Sequence, residues 1–101
     1  MKNLYEIYVP TVLNSGKPIR TRQHREWDNR VRRITGGLTV YKPVIGQWVD
    51  NSDNTLYKER MIPVRIVATK EEIHKVAVMT KSFYEQVAVL YYKISDEVVY
   101  V

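Results

Sequence analysis

Two side chains in this 101-residue chain are of types that could act on a small ligand: the carboxylate of Glu59 and the indole of Trp48. Glu59 stands between Lys58 and Arg60 in a stretch of strand character, so taken alone it reads as an exposed charge paired with its neighbours, and only its surroundings can raise it above that. Trp48, in Gly46-Gln-Trp, reads first as a core or interface aromatic and second as a platform on which a nucleobase could stack. His24 and His74 read as surface or half-buried helix residues, since neither has a second histidine at metal-ligand spacing. The chain has no cysteine, which excludes disulfides, zinc ribbons, thiol nucleophiles and iron–sulfur clusters. There is no phosphate-binding loop, dinucleotide fingerprint or nucleophile elbow either. No cofactor and no metal are expected.

The net charge of +5 is unevenly distributed. Residues 1–37 carry eight Lys and Arg against Glu6, Glu26 and Asp28, whereas residues 38–101 balance to zero. Lys17, Arg20, Arg22, Arg25, Arg30, Arg32 and Arg33 cluster around one predicted helix, where the planar guanidinium suits phosphate or carboxylate partners. The plainer reading of such a cluster is a solvated helix face.

The elements that must position these groups follow from periodicity. Leu4–Val9 is rich in β-branched and aromatic residues and ends at Pro10, which predicts a first strand. From about residue 20, His24, Trp27, Val31 and Ile34 keep the rhythm of one helix face, and Gly36-Gly37 stops it. Leu38–Tyr41 and Gly46–Asp50 are short strand-like pieces, and the turn-forming run Asn51–Asn54 leads into a return arm over Leu56–Ala68. Pro63 within that arm requires an edge, a bulge or a strand start. Thr69-Lys-Glu-Glu72 has the form of a capping box, and Ile73, Val76, Ala77, Thr80, Phe83 and Tyr84 make the apolar stripe of a second helix. Val87–Tyr92 is a strand by composition, and Glu97–Val101 is a candidate for a short last one.

Strand, helix, strand, strand, helix, strand is the ferredoxin-like βαββαβ order, an α+β domain with two helices on one face of an antiparallel sheet. One domain over 1–101 fits the length. Several tyrosines, Tyr5 and Tyr41 among them, alternate along the strands, and a chain this small most easily buries an open sheet face by closed cyclic assembly. A homo-oligomer is expected, with sites in clefts between subunits. No apolar stretch approaches the roughly 20 residues of a membrane span, so a cytoplasmic location is expected, with no membrane partner.

Gly36-Gly-Leu-Thr-Val40, Gly46-Gln-Trp48, Glu59-Arg60 and Tyr84-Glu-Gln-Val-Ala-Val-Leu90 together look like an uncharacterised family of small bacterial domains. The same skeleton resembles the phage S-adenosylmethionine (SAM) lyases, formerly called SAM hydrolases. The shared features are a glycine-x-aromatic, a glutamate eleven residues after the aromatic, a Val-Arg strand and a helix ending in Glu-Gln before a Val-Leu-x-Tyr strand. Here they are Gly46 with Trp48, Glu59, Val64-Arg65, Glu85-Gln86 and Val89–Tyr92, so the likeness runs over about residues 36–101. The resemblance implies a trimer of ferredoxin-like, PII-like subunits with an adenosyl substrate at the subunit interfaces. It implies a reaction in which the substrate's own carboxylate attacks the carbon beside the sulfonium, releasing 5′-methylthioadenosine and homoserine lactone without a metal. It further implies that Glu59 is the essential glutamate, holding the ribose hydroxyls or the cationic groups, with Trp48 and Gln86 as substrate contacts. Gln86 reads equally well as a sheet-capping amide. The phage enzymes usually carry tyrosine where this chain has Trp48. A related resemblance is to lyases linked to type III CRISPR defence, which degrade SAM-AMP, and a phosphodiester in the substrate would give the arginine-rich helix a task.

Three functions are therefore expected in descending order. The first is a lyase acting on SAM or SAM-AMP in phage anti-defence or CRISPR signalling, and the second a non-catalytic PII-like nucleotide sensor or sponge. Nucleic-acid binding by the basic helix ranks last, because the chain lacks the exposed aromatic motif of single-strand readers.

Overall fold

The computed structural model describes residues 1–101. Its elements are β1 (Asn3–Pro10), α1 (Thr21–Thr35), β2 (Thr39–Val40), β3 (Val44–Asp50), β4 (Thr55–Ala68), α2 (Lys70–Phe83) and β5 (Tyr91–Ser95). All strand pairs are antiparallel, in the order β2-β4-β1-β5, and β3 continues the sheet beside the first half of β4. This is the expected arrangement, with both helices on one face.

Period-two alternation in β1 decides what is buried. Tyr5, Ile7 and Val9 point to the helices and meet Val64, Ile66 and Ala68 of β4 there. Trp27 and Val31 of α1 and Ile73, Val76, Ala77 and Tyr84 of α2 complete this core. Tyr5 thus belongs to the covered face and not, as its alternation suggested, to the open one. The indole Nε1 of Trp27 donates to Thr80 Oγ1 at 2.9 Å, so the largest core side chain buries no unpaired polar atom.

The helix boundaries fall where the sequence places them. Gly36 ends α1 in the left-handed conformation at φ 94°, and its N–H closes on the Arg32 carbonyl at 2.8 Å. The predicted capping box opens α2: Thr69 Oγ1 accepts from the Glu72 amide at 3.0 Å and Glu72 Oε1 accepts from the Thr69 amide at 2.8 Å.

Fourteen residues of strand, thirteen steps of roughly 3.3 Å, make β4 about 43 Å long, and the molecule measures 47 × 30 × 23 Å. Only the second half of β4 lies in the sandwich; the first half pairs with β3 alone as an arm. Pro63 sits at the junction. Its carbonyl accepts from the Tyr41 amide at 2.9 Å, and its missing N–H falls on the side where β3 has ended and β2 has not begun.

The strand expected at Val87–Tyr92 lies further on, at Tyr91–Ser95. Residues 85–90 are consumed in crossing from the end of α2 to the edge of β1, and Val87 is 84% exposed. Leu90 has only begun to pair, its carbonyl accepting from the Tyr8 amide at 3.2 Å. Glu97–Val101 forms no strand, and Leu38–Tyr41 shrinks to the two residues of β2. No helix is long and apolar enough to cross a membrane.

Candidate functional site

On the arm, Gly46 pairs with Glu59 and Trp48 with Tyr57, so the register places all four on the sheet face turned away from the helices. Trp48 and Tyr57 stack across the strands with centroids 5.6 Å apart and planes 15° from parallel. Trp48 nonetheless stays 47% exposed, leaving indole surface for a ligand. A Cβ at Gly46 would meet the Met61 Cε, the far end of a flexible side chain that can move aside.

A cleft of about 470 Å³ forms where this arm, the end of β1 and the crossing segment meet. Trp48, Glu59 and Gln86, up to 38 positions apart, all line it, together with Tyr8, Met61 and Leu90. A volume of this size suits a nucleoside-sized ligand. Lys58 and Arg60 do not pair with Glu59. Strand alternation turns them to the opposite face, and the ion pairs of the molecule are Lys2–Glu72, Arg30–Glu26 and Arg65–Glu6. Glu59 is therefore a half-buried carboxylate with no hydrogen-bond or ionic partner from the protein, which corrects the reading of it as a neighbour-paired surface charge.

Gln86 is fixed by the end of α2 rather than by the sheet. Its backbone N–H reaches the Lys81 carbonyl at 2.8 Å and its Nε2 donates to the Tyr84 carbonyl at 3.0 Å, leaving Oε1 free at the cleft. Glu85 holds the turn in the left-handed conformation at φ 52°, and Asn14 Nδ2 donates to its carbonyl at 2.8 Å.

Sequence reasoning missed the polar chain behind the cleft. Tyr8 Oη lies 3.1 Å from Tyr92 Oη, Tyr92 donates to Glu6 Oε2, and Arg65 Nε donates to Glu6 Oε1 at 3.1 Å. Arg65 also lies over the Tyr41 ring at 4.9 Å. Burial pushes the Glu6 carboxyl up, but hydrogen bonds from Tyr92 and Arg65 outweigh it and hold the group below its ordinary range. The same bond to Glu6 raises the Tyr92 phenol. A usable signal existed, because Leu4, Glu6 and Tyr8 alternate with Tyr5, Ile7 and Val9 and so share the open face.

A larger hollow of about 900 Å³ lies by Lys2, Thr35, Tyr41, Arg65 and Tyr100. Its basic groups are already engaged, Arg65 by Glu6 and Lys2 by Glu72 at 3.7 Å, so the cleft with the unpartnered Glu59 is the stronger candidate. No three His, Cys, Asp or Glu side chains stand together as metal ligands would. No Lys or Arg lines the Glu59 cleft, and the arginine-rich α1 lies in the helical layer on the other face of the sheet.

By sequence, no protein-family model and no curated protein matches the chain. Its structure is matched by the periplasmic divalent cation tolerance protein CutA from Archaeoglobus fulgidus at TM-score 0.71 and 11% identity, over 99% of this chain and 88% of that one. A phage SAM lyase in complex with S-methyl-5′-thioadenosine matches at TM-score 0.67 and 12% identity, over 98% and 93%. B. subtilis GlnK in complex with ATP matches at TM-score 0.53 and 14% identity, over 92% and 83%. The fold is ferredoxin-like, of the PII-like kind. At these identities the likeness is one of fold, shared by the lyase with proteins of other function. Within this ferredoxin-like frame the arm and the crossing segment supply the cleft walls, while β1 and β5 supply the polar chain behind them.

Proposed function

We propose that this protein is a lyase that cleaves SAM, with Glu59 as its essential carboxylate. The observation that carries the reading is the unpartnered Glu59 in a cleft walled by Trp48, Tyr8, Met61 and Gln86 and free of basic residues. SAM brings two positive groups, its sulfonium and its ammonium, and a half-buried carboxylate lacking a protein partner is what such a ligand complements. The cleft does not favour the phosphodiester of SAM-AMP, since the arginines that would meet it lie on the other layer. In the reaction a carboxylate oxygen of the substrate forms a bond to Cγ while the Cγ–S bond breaks and its electron pair passes to sulfur. Neutral 5′-methylthioadenosine leaves together with homoserine lactone, which keeps the substrate's ammonium charge, and no proton needs to be exchanged. Holding the substrate folded, with its carboxylate behind Cγ, supplies rate through proximity. Glu59 steadies the cationic end, Trp48 offers indole surface to the adenine, and Gln86 Oε1 accepts from an adenine or ribose donor.

The reading includes a trimer. Val44, Ile45, Val49, Leu56 and Tyr57 are exposed on the arm and Tyr92 on the open face, and cyclic closure covers both without leaving a sheet edge free. A second reading, a non-catalytic nucleotide sensor, draws on the likeness to GlnK with ATP bound.

Incubation with SAM and, separately, SAM-AMP, followed by mass spectrometry, tests both. Methylthioadenosine with homoserine lactone from SAM is expected, and Glu59→Gln lowers kcat/KM about 100-fold while leaving the oligomer intact. Absence of product from both substrates, with a folded oligomer shown by light scattering, rejects the lyase and leaves the sensor.

A further inference from the structure

The two helices lie side by side on the outside of the sandwich and follow opposite electrostatic rules. Helix α2 has Glu71 and Glu72 in its first turn and Lys81 in its last, as the helix dipole favours. Helix α1 satisfies the dipole at its C-terminal end with Arg32 and Arg33, but its first turn holds no acid, and Arg20 and Arg22 stand there against the positive pole. Helix stability therefore does not account for those two arginines.

Nor do ion pairs. Arg30 is engaged by Glu26 at 3.3 Å and lies over the Phe83 ring at 4.8 Å, and Arg32 donates to Asn29. Lys17, Arg20, Arg22, Arg25 and Arg33 have no carboxylate partner, and neither do Lys70, Lys75 and Lys81 on α2. Residues 17–37 and α2 together carry six more basic than acidic residues, against five for the whole chain. The helical layer thus holds all of the excess charge. Arg22, Arg25 and Arg33 recur at i, i+3 and i+11, on one exposed flank of α1 over about 16 Å of helix.

We infer that the helical layer, led by Arg22, Arg25 and Arg33 of α1, is a docking surface for the phosphate backbone of duplex nucleic acid. Charge complementarity selects a polyanion: a duplex presents one phosphate per roughly 1.7 Å of axis, enough to engage every arginine along the flank at once. The layer lacks the stacking platform that a single-strand reader needs, because its partly exposed aromatic, Phe83, is covered by Arg30. It offers contacts to backbone phosphates and none that reads bases. The surface is separate from the Glu59 cleft, and assembly through the open sheet face leaves it pointing outward.

Fluorescence anisotropy with labelled 20-base-pair DNA and RNA duplexes, the matching single strands, and phosphatidylserine vesicles, from 50 to 200 mM salt, tests the inference. Binding of one or both duplexes ahead of the single strands is expected, and the two duplex arms tell which nucleic acid is preferred. The triple variant Arg22→Gln/Arg25→Gln/Arg33→Gln loses at least tenfold in affinity, and the slope of log K against log salt becomes shallower by about 2.7. Lys42→Gln/Lys58→Gln, off the helical layer, and Glu59→Gln, in the cleft, bind as the parent does. Absence of duplex binding at 50 mM salt, an unchanged slope in the triple variant, or a preference for single strands or vesicles overturns it. Because turnover of SAM is read separately, either conclusion can fail while the other stands.

Discussion

The two halves of β4 are one continuous strand with opposite fates. From Val64 to Ala68 every second side chain is sealed between sheet and helices, with Ile66 1% exposed. From Thr55 to Arg60, alternation puts Tyr57 and Glu59 on one face of the arm and Leu56, Lys58 and Arg60 on the other, and no helix covers either face. The inner half determines whether the chain folds, and the outer half carries the candidate chemistry. A strand can therefore lend rigidity from a core to a site that contributes little to the core.

That contrast is broken or kept by substituting one residue in each half. Ile66→Ala is expected to cost about 2–5 kcal/mol, the range for truncating a buried isoleucine. Trp48→Ala, which removes a half-exposed ring and its stack on Tyr57, is expected to cost about 1 kcal/mol within one subunit. Urea unfolding of the two variants makes the comparison. A Trp48→Ala loss as large as that of Ile66→Ala, and growing on dilution, would mean that subunit contacts on the arm carry folding energy and that the division fails.

The next largest effect lies where the halves meet the open face. Arg65→Met strips the Glu6 carboxylate, 7% exposed, of its cationic partner while keeping much of the side chain's apolar bulk. Tyr92 still donates to Glu6 and Arg65 is partly solvated, so near neutral pH the expected loss of stability is smaller than that of Ile66→Ala. The pH dependence has a definite sign. Glu6 titrates lower in the folded protein than its ordinary 4.5, so its contribution is complete above that value and is lost as pH falls through the lower folded value. The gap between parent and Arg65→Met should therefore narrow in acid, as read by urea titrations at several pH values. A gap that stays constant down to strong acid would remove Glu6 from the account.

The inner half was far more legible from sequence than the outer. Burial imposes periodicity, so Trp27, Val31, Ile73, Val76 and Thr80 announced the helices, and the Thr69–Glu72 box announced where the second begins. The segment from Val87 to Leu90 misled because β-branched composition records preference for a pleated surface, while the chain's path is set by the distance from the end of α2 to the edge of β1. Glu59 and Trp48 could be singled out, but the gathering of Tyr8, Met61 and Gln86 around them is a tertiary fact with no local pattern. The basic cluster was plain in the sequence, yet only the folded chain separates its layer from the cleft and so uncouples it from the proposed substrate.

The smallest expected effect concerns the wall of the cleft opposite the arm. His24 Nδ1 lies 2.7 Å from the buried Tyr84 hydroxyl at the seam between the helices, and Tyr84 supplies the carbonyl on which Gln86 hangs. Burial lowers the His24 pKa below 6.5, more than the nearby Asp28 carboxylate raises it. The neutral ring is thus the folded form, able to accept from Tyr84, whereas a protonated ring has only donors to offer. Below about pH 6.5 the unfolded chain takes up a proton that the folded chain resists, so stability declines from there until the folded value is passed, and it is flat above. His24→Gln, which keeps an acceptor near Tyr84, should abolish the decline without changing stability at pH 8. If methylthioadenosine affinity weakens in parallel with stability in the parent and not in His24→Gln, the seam holds the Gln86 wall in place. A decline below pH 6.5 that persists unchanged in His24→Gln would remove His24 from the account.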